Sequence, residues 1–283
     1  MRIALIYYSQ NKKTQIEEVF FSVPNTTVVL YHLKYNILYT EKGKIISLHE
    51  VATQSDVYVL DTSIPFDIRE NLHIYFETYT VHHLYGKMSS LEVIPHEFLE
   101  PKTLKVDGKH HDLERELATL WTTMPHPIRV KRKGKISYEV SSVHELRRIV
   151  LPHLALGENI ECVYQPKGRK LTCTLVRNAR GKSIYITPLF EKVQHQSGAK
   201  LFSSTLSLVE KEKIIKKIEK LFSNHPLLPT LHIELIITPK GIYLMHMAPL
   251  HEITKYTISE TLAAVGMQPS ELLKSCLMHL PTK

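Results

Sequence analysis

Apolar residues along this chain come in short runs whose period changes repeatedly, and those changes mark out the elements. Arg2–Tyr8 is almost continuously apolar, the pattern of a strand buried on both faces. Lys13–Phe21 then places Ile16, Val19 and Phe20 at helical spacing, and Thr27–Leu33 returns as a strand. Asp56–Leu60 reads as a third strand, followed by a helix-like Ile68–Thr78. Strands alternating with helices predict a mostly parallel sheet with right-handed crossovers. Gly86–Val106 reads as a connector. Beyond it, His111–Met124 carries Leu113, Leu117, Leu120 and Trp121 on one face, with Asp112 favouring the start of a helix.

Pro127–Lys131 and Ile136–Val140 read as strands, and Ser142-Val-His-Glu145 is a capping-box sequence opening a helix over Val143–Leu151. Asn159–Tyr164, Arg169–Arg177 and Ser183–Thr187 follow as strands. In the second of these, Leu171, Cys173 and Leu175 alternate with Lys170, Thr172 and Thr174, which assigns Cys173 to the core. Glu191–Phe202 is polar and reads as irregular. Ser207-Leu-Val-Glu210 is a second capping box, its helix running through Ile214, Ile218 and Phe222 until Pro226 and Pro229 end it.

The C-terminal stretch is the most strongly patterned. Two β-rich runs, Leu231–Ile237 and Ile242–Ala248, flank Pro239-Lys240-Gly241. Proline suits the opening of a type I turn and glycine the left-handed position that closes a three-residue loop. That loop pairs Thr238 with Ile242, which sets Glu234 opposite His246 and His232 opposite Ala248. A helix ending at Gly266 is expected next, and another from Pro269, with Leu272, Leu273, Cys276, Leu277 and Leu280 on one stripe.

Composition narrows the class. The chain has 283 residues, 43% hydrophobic and 23% charged, values of an ordinary globular protein of two or three subdomains. No run approaches the roughly 18 apolar residues needed to span a bilayer, and Met1–Ser9 is too short and strand-like for a signal peptide. Three cysteines, Cys162, Cys173 and Cys276, cannot all pair and have no metal-type spacing, so a reducing cytoplasm is the expected setting. Net charge is +8, from 36 Lys+Arg against 28 Asp+Glu. The excess is spread out apart from Lys131–Lys135, which argues against nucleic acid as the partner. Seventeen histidines include the adjacent pairs His82-His83 and His110-His111, neither with a Cys or an i, i+4 partner to make a zinc site.

The C-terminal layout resembles that of the D-alanine–D-alanine ligases, members of the ATP-grasp superfamily. There a strand reading Arg-Val-Asp-Phe is followed by a turn, a strand ending Glu-x-Asn-Thr-x-Pro-Gly, a helix, and Gly-Leu-Ser-Phe-Glu-Glu-Leu. Gly266-Met-Gln-Pro-Ser-Glu-Leu-Leu is similar to the last piece. Phe98-Leu-Glu-Pro-Lys-Thr103 is similar to the family's Gly-Ile-x-Thr-Pro-Lys, and Pro127-Ile-Arg-Val-Lys131 to its Pro-x-Val-Val-Lys-Pro. Asn159-Ile-Glu-Cys-Val-Tyr164 is similar to the Val-Glu-Glu-Tyr-Ile hinge that hydrogen-bonds adenine. The resemblance implies a mixed α/β and α+β ATP-grasp fold with an N-terminal Rossmann-like (pre-ATP-grasp) domain. It divides the chain at about 1–95, 96–186 and 187–283. It also implies ATP with Mg²⁺ or Mn²⁺, a small-molecule substrate, a homodimer and a place in bacterial cell-wall synthesis.

Carried over position by position, the resemblance makes Lys131 the lysine near adenine and the α-phosphate, and Glu161 the first hinge acid. Glu234 stands for the strand Asp, His246 for the metal-binding Glu, Ala248 for the metal-binding Asn, and His232 for the Arg, which makes His232 the candidate catalytic residue. Departures are numerous. The loop after the first strand, Tyr8-Ser-Gln-Asn-Lys12, keeps Ser9 but has no glycine or acid. The segment Ser63–Leu72 keeps Asp67 and Glu70 without glycines. The phosphate loop Gly-Ser-Ser-x-Gly becomes Lys133-Gly-Lys-Ile-Ser137, where Lys135 attracts phosphate as a point charge instead of cradling it. Cys162 replaces the second hinge acid, Gly168-Arg-Lys170 reverses a charge of Gly-Arg-Glu, and Lys200 is the candidate for a loop lysine. The expected function is that of a ligase-like protein with a degenerate site, impaired or absent ligation, and the means to bind a nucleotide. Two other readings stand beside it. One is an active ATP-dependent carboxylate–amine ligase with an altered metal site of Glu234 and His246. The other is a non-catalytic interaction module that binds an anionic partner through Lys131–Lys135.

Overall fold

A computed structural model of the chain describes residues 1–8, 25–60, 64–84, 97–106, 112–132, 138–195, 198–249 and 260–279. It packs as two units, one formed by Met1–Val93, Thr172–Ile233 and His246–Lys283, the other by Ile94–Leu171 and Glu234–Met245. Among the described residues no helix is long and apolar enough to cross a membrane.

The first unit opens with β1 (Arg2–Tyr7), β2 (Thr27–Lys34), β3 (Ile37–Thr40), β4 (Ile45–Ile46), α1 (Leu48–Gln54), β5 (Val57–Leu60), α2 (Phe66–Thr78) and β6 (His82–His83). The strand order is β4-β3-β2-β1-β5-β6. β2, β1, β5 and β6 run parallel, as the alternation predicts, while β3 and β4 add an antiparallel edge that the pattern does not announce. Central β1 explains its continuous apolar run, since Ile3, Leu5 and Tyr7 enter one core and Ala4 and Ile6 the other. The expected helix Lys13–Phe21 lies outside the described residues.

The second unit begins with β7 (Thr103–Val106), α3 (Leu113–Thr123), β8 (Ile128–Arg132), β9 (Tyr138–Val140), α4 (Val143–Leu154) and β10 (Ile160–Tyr164). These strands pair antiparallel in the order β7-β10-β8-β9. Leu117, Leu120, Leu146 and Val150 from the two helices bury against Val130, Val140 and Cys162. The Asp112 carboxylate accepts the Arg115 N–H at the start of α3. At α4 the Ser142 hydroxyl accepts from Glu145 N–H, but the Glu145 carboxylate turns back to the N–H and hydroxyl of Ser141, one residue earlier than a capping box requires. Those two bonds hold the Glu145 carboxyl below its usual range. α4 also runs past Pro152, because burial of Leu154 favours the extra turn.

The rest comprises β11 (Arg169–Ala179), β12 (Lys182–Ile186), β13 (Phe190–His195), β14 (Gly198–Ser203), α5 (Leu208–Ser223), β15 (Thr230–Thr238), β16 (Gly241–Ala248), α6 (Glu260–Ala264) and α7 (Pro269–His279). Its strand order is β14-β13-β11-β15-β16, with β12 paired to β11. Glu191–Phe202, expected to be irregular, is the hairpin β13–β14, pairing from Phe190 and Ser203 to His195 and Gly198. Val193 and Phe202 remain exposed there, so the hairpin lacks the hydrophobic face that would have betrayed it. On α5 both halves of the capping box form between Ser207 and Glu210. The β15–β16 turn is tighter than expected, with strand regained at Gly241 after Pro239-Lys240. Gly241 is not in the left-handed helical region but at φ 141°, and a Cβ there would lie 3.0 Å from Leu99 Cδ1.

Candidate functional site

In the second unit the candidate nucleotide positions converge on β10. Register sets Glu161 beside Lys131 of β8 on one side and beside Lys105 of β7 on the other. Cross-strand neighbours share a face, so three charged positions form a row across the sheet. Glu161 is half-buried, whereas Ile160 and Cys162 turn into the core. Burial, with a contribution from the Glu161 charge, pushes the Cys162 thiol up to about 12. Cys162 is thus a packing residue where the resemblance would place an acid. Lys135 lies outside the described residues.

Sequence reasoning passed over Gln165, which follows β10 directly. Its N–H donates to the Pro127 carbonyl, and its side chain is buried with Oε1 meeting no hydrogen-bond partner among the described residues. A polar residue just past a strand reads as solvated, so nothing in the pattern distinguishes it. The tip of the β15–β16 hairpin belongs to this unit and closes on the same region. Leu99 N–H donates to Ile242 O at 2.7 Å, Leu244 N–H to Leu99 O at 3.0 Å, and Tyr164 meets Tyr243 edge-on at 5.9 Å. Gly168 is required there, since a Cβ would run into the Ile237 carbonyl oxygen.

His232 sits in the first unit, held by threonines. Its Nε2 lies 3.2 Å from Thr172 Oγ1 and its Nδ1 lies 3.0 Å from Thr174 Oγ1. Thr172 Oγ1 also donates to Ile233 O at 3.2 Å, and Thr174 Oγ1 is 2.6 Å from Thr261 Oγ1. With Thr172 donating to the carbonyl, Nε2–H donates to Thr172. Nδ1 and Thr174 share a second hydrogen bond, and Thr174 shares a third with Thr261, in which either hydroxyl could donate. The alternation on β11 marks Thr172 and Thr174 as an outward polar face, yet both are buried. Burial of both faces of β11, with hydroxyls satisfied internally, overrides the period-two reading.

The positions assigned to a metal are less equipped. Glu234 is half-buried on β15 and belongs to the second unit, while His246 is exposed on β16 and belongs to the first. Ala248 supplies no donor. Among the described residues no group of three His, Cys, Asp or Glu side chains is placed to hold a metal ion. One carboxylate and one imidazole do not fit Mg²⁺, which demands several hard oxygens near octahedral geometry. His83 instead packs edge-on against His73 at 4.7 Å, and His73 Nδ1 bonds the Tyr58 hydroxyl at 2.7 Å. That burial, with the charges of Glu77 and Glu70, raises the Tyr58 hydroxyl pKa far above its usual value. Asp67 and Glu70 lie in the first turns of α2, Lys200 is exposed on edge strand β14, and Ser9 and the pair His110-His111 fall outside the described residues.

No family model and no curated protein matches the sequence. Solved structures match its fold over nearly all of its length. D-alanyl-alanine synthetase A from Vibrio cholerae superposes with a TM-score of 0.71 at 16% identity, covering 98% of this chain and 97% of that one. D-alanine–D-alanine ligase from Bacillus anthracis, complexed with ATP, gives 0.69 at 16% identity over 99% and 97%. The VanG D-Ala:D-Ser ligase from Enterococcus faecalis gives 0.70 at 11% identity over 99% of both chains. The fold is that of the D-alanine–D-alanine ligases, a mixed α/β ATP-grasp architecture.

Proposed function

We propose that this chain is an ATP-grasp protein that binds an adenine nucleotide at β10 and has impaired or absent D-Ala–D-Ala ligation. The observation that carries the reading is the row Lys105–Glu161–Lys131 across β7, β10 and β8. The Glu161 carboxylate can accept ribose hydroxyls, and the lysine positions in register with it on both neighbouring strands supply point charges for phosphate. The buried Gln165 Oε1, without a partner among the described residues, is an acceptor that a nucleobase amine would satisfy.

Ligation of the family's kind phosphorylates a carboxylate and lets an amine attack the acyl phosphate, so it depends on neutralising charge around the transferred phosphoryl group. Here Glu234, His246 and Ala248 do not make a Mg²⁺ site. His232 offers an imidazole whose two nitrogens are taken up by Thr172 and Thr174, where the family has a guanidinium. Nucleotide binding without efficient phosphoryl transfer follows from this set of residues.

The test is a thermal-shift titration with ATP, with and without Mg²⁺ or Mn²⁺. A ligand at 100 times its Kd that binds only the folded state adds about 2.7 kcal/mol, which is easily read. The expected result is a rise without metal that is lost in Glu161→Ala, with no D-alanine-dependent release of ADP. No shift at millimolar ATP under any condition would sink the proposal. A metal-dependent rise accompanied by D-alanine-dependent turnover would favour the active-ligase reading instead.

A further inference from the structure

We propose that the first unit carries a second small-molecule site, an aromatic shelf on β1–β3 that takes a nucleoside monophosphate without metal. Register places Tyr7 beside His32, and His32 beside Tyr39, so one face of three adjacent strands carries three rings in a row, Tyr7 buried and His32 and Tyr39 half-buried. At the usual strand spacing the row is about 10 Å long. Tyr7 and His32 are stacked, 5.1 Å apart and 13° from parallel. His32 Nε2 lies 3.3 Å from the Tyr8 carbonyl oxygen, which places its proton on Nε2 and fixes the ring.

The row lies at the carboxyl ends of β1 and β2. Toward the amino ends the same face is covered by Leu272, Leu273 and Cys276 of α7, packed on Ile3, Leu5 and Leu30. The covered core then gives way to a cavity of about 640 Å³ lined by Tyr7, His32, Lys34, Tyr35, Tyr39 and Glu41. The cavity lies beyond the carboxyl ends of β1 and β2, the end at which parallel strands bind ligands.

A second observation is independent of the cavity. β2 and β3 are joined by Tyr35-Asn36, both left-handed at φ 51° and 63°. Such turns favour Asn-Gly, and an aromatic residue in the first position is strained. The Tyr35 ring is 83% exposed, so no packing offsets that strain, and Lys34 Nζ sits 5.4 Å from its centroid. Strain held at the rim of a cavity is expected where a ligand uses the side chain.

The chemistry selects the ligand. A row of rings receives a flat nucleobase by stacking, and Lys34, on the His32 face two residues on, receives a phosphate. Glu41 accepts ribose hydroxyls or an exocyclic amine and repels a longer polyphosphate chain. A mononucleotide fits the volume comfortably.

Isothermal titration of the full chain with AMP in EDTA tests this, with adenosine, inorganic phosphate and a single-stranded oligonucleotide as comparison probes. AMP is expected to bind, adenosine to bind about tenfold more weakly, and phosphate alone not at all. Lys34→Gln and Tyr35→Gly are each expected to weaken AMP about tenfold. Tyr35→Gly suits the turn better than the native residue and so keeps the fold. Both variants should retain the wild-type thermal response to ATP. AMP binding unchanged in both variants, or equalled by phosphate, or absent at millimolar AMP, would overturn the shelf. So would AMP binding lost in Glu161→Ala and kept in the shelf variants, since the nucleotide would then sit at β10. An oligonucleotide that outcompetes AMP would overturn the small-molecule assignment.

Discussion

At the scale of single residues, the chain surrounds His232 with buried hydroxyls. Thr172, Thr174 and Thr261 are each no more than 3% exposed and surround His232. Thr174→Val keeps the shape and removes the hydroxyl that bonds His232 Nδ1 and Thr261 Oγ1. That should cost about 1–3 kcal/mol in urea unfolding, with Thr174→Ser restoring most of it. Gly168→Ala should be comparably severe, about 1–3 kcal/mol, because its Cβ has nowhere to go but the Ile237 carbonyl. The glycine was legible as the family's own; its reason was not, because the close approach comes from a strand some 70 positions further along the sequence. The threonines were legible only as a polar period on β11, since alternation cannot tell solvent from a buried network.

At the scale of elements, local signals carried far. Asp112, Ser142 and Ser207 all cap the helices that the sequence assigns to them. Ser207→Ala should lose about 1 kcal/mol from α5, read as a lower urea midpoint at unchanged slope. What stayed hidden were the short antiparallel additions β3–β4 and β13–β14, and the exact span of the β15–β16 turn. The C-terminal helix α7 is tied to the β11–β12 turn by Arg180, whose guanidinium meets the Glu271 carboxylate at 2.8 Å. That hydrogen bond, with the Arg180 charge, holds the Glu271 carboxyl below its usual range. Its contribution is therefore present above the unfolded value near 4.5 and lost as pH falls through the lower folded value. Arg180→Gln should make stability flatter across that acid window in a urea series at several pH values, while leaving neutral-pH stability nearly unchanged, because the pair is largely solvated.

At the scale of the whole molecule, 11–16% identity to the ligases still yields nearly full-length superposition. Fold is specified by the placement of apolar runs, turns and caps, which tolerate wide substitution. A phosphate loop or a metal site is specified by particular atoms at particular positions, and likeness of fold does not carry it. The free thiols turn this architecture into something measurable. Cys173 and Cys276 lie in the first unit and Cys162 in the second, each essentially without exposure and pushed by burial to about 12. At pH 8 the native protein should leave all three unmodified by an alkylating reagent, and each should react only as its surroundings open. Peptide mass analysis of a timed alkylation under mild urea would then act as two clocks in one chain. Unequal rates at Cys162 and Cys173 would mean that the second unit opens independently of the first, and equal rates that the two melt together.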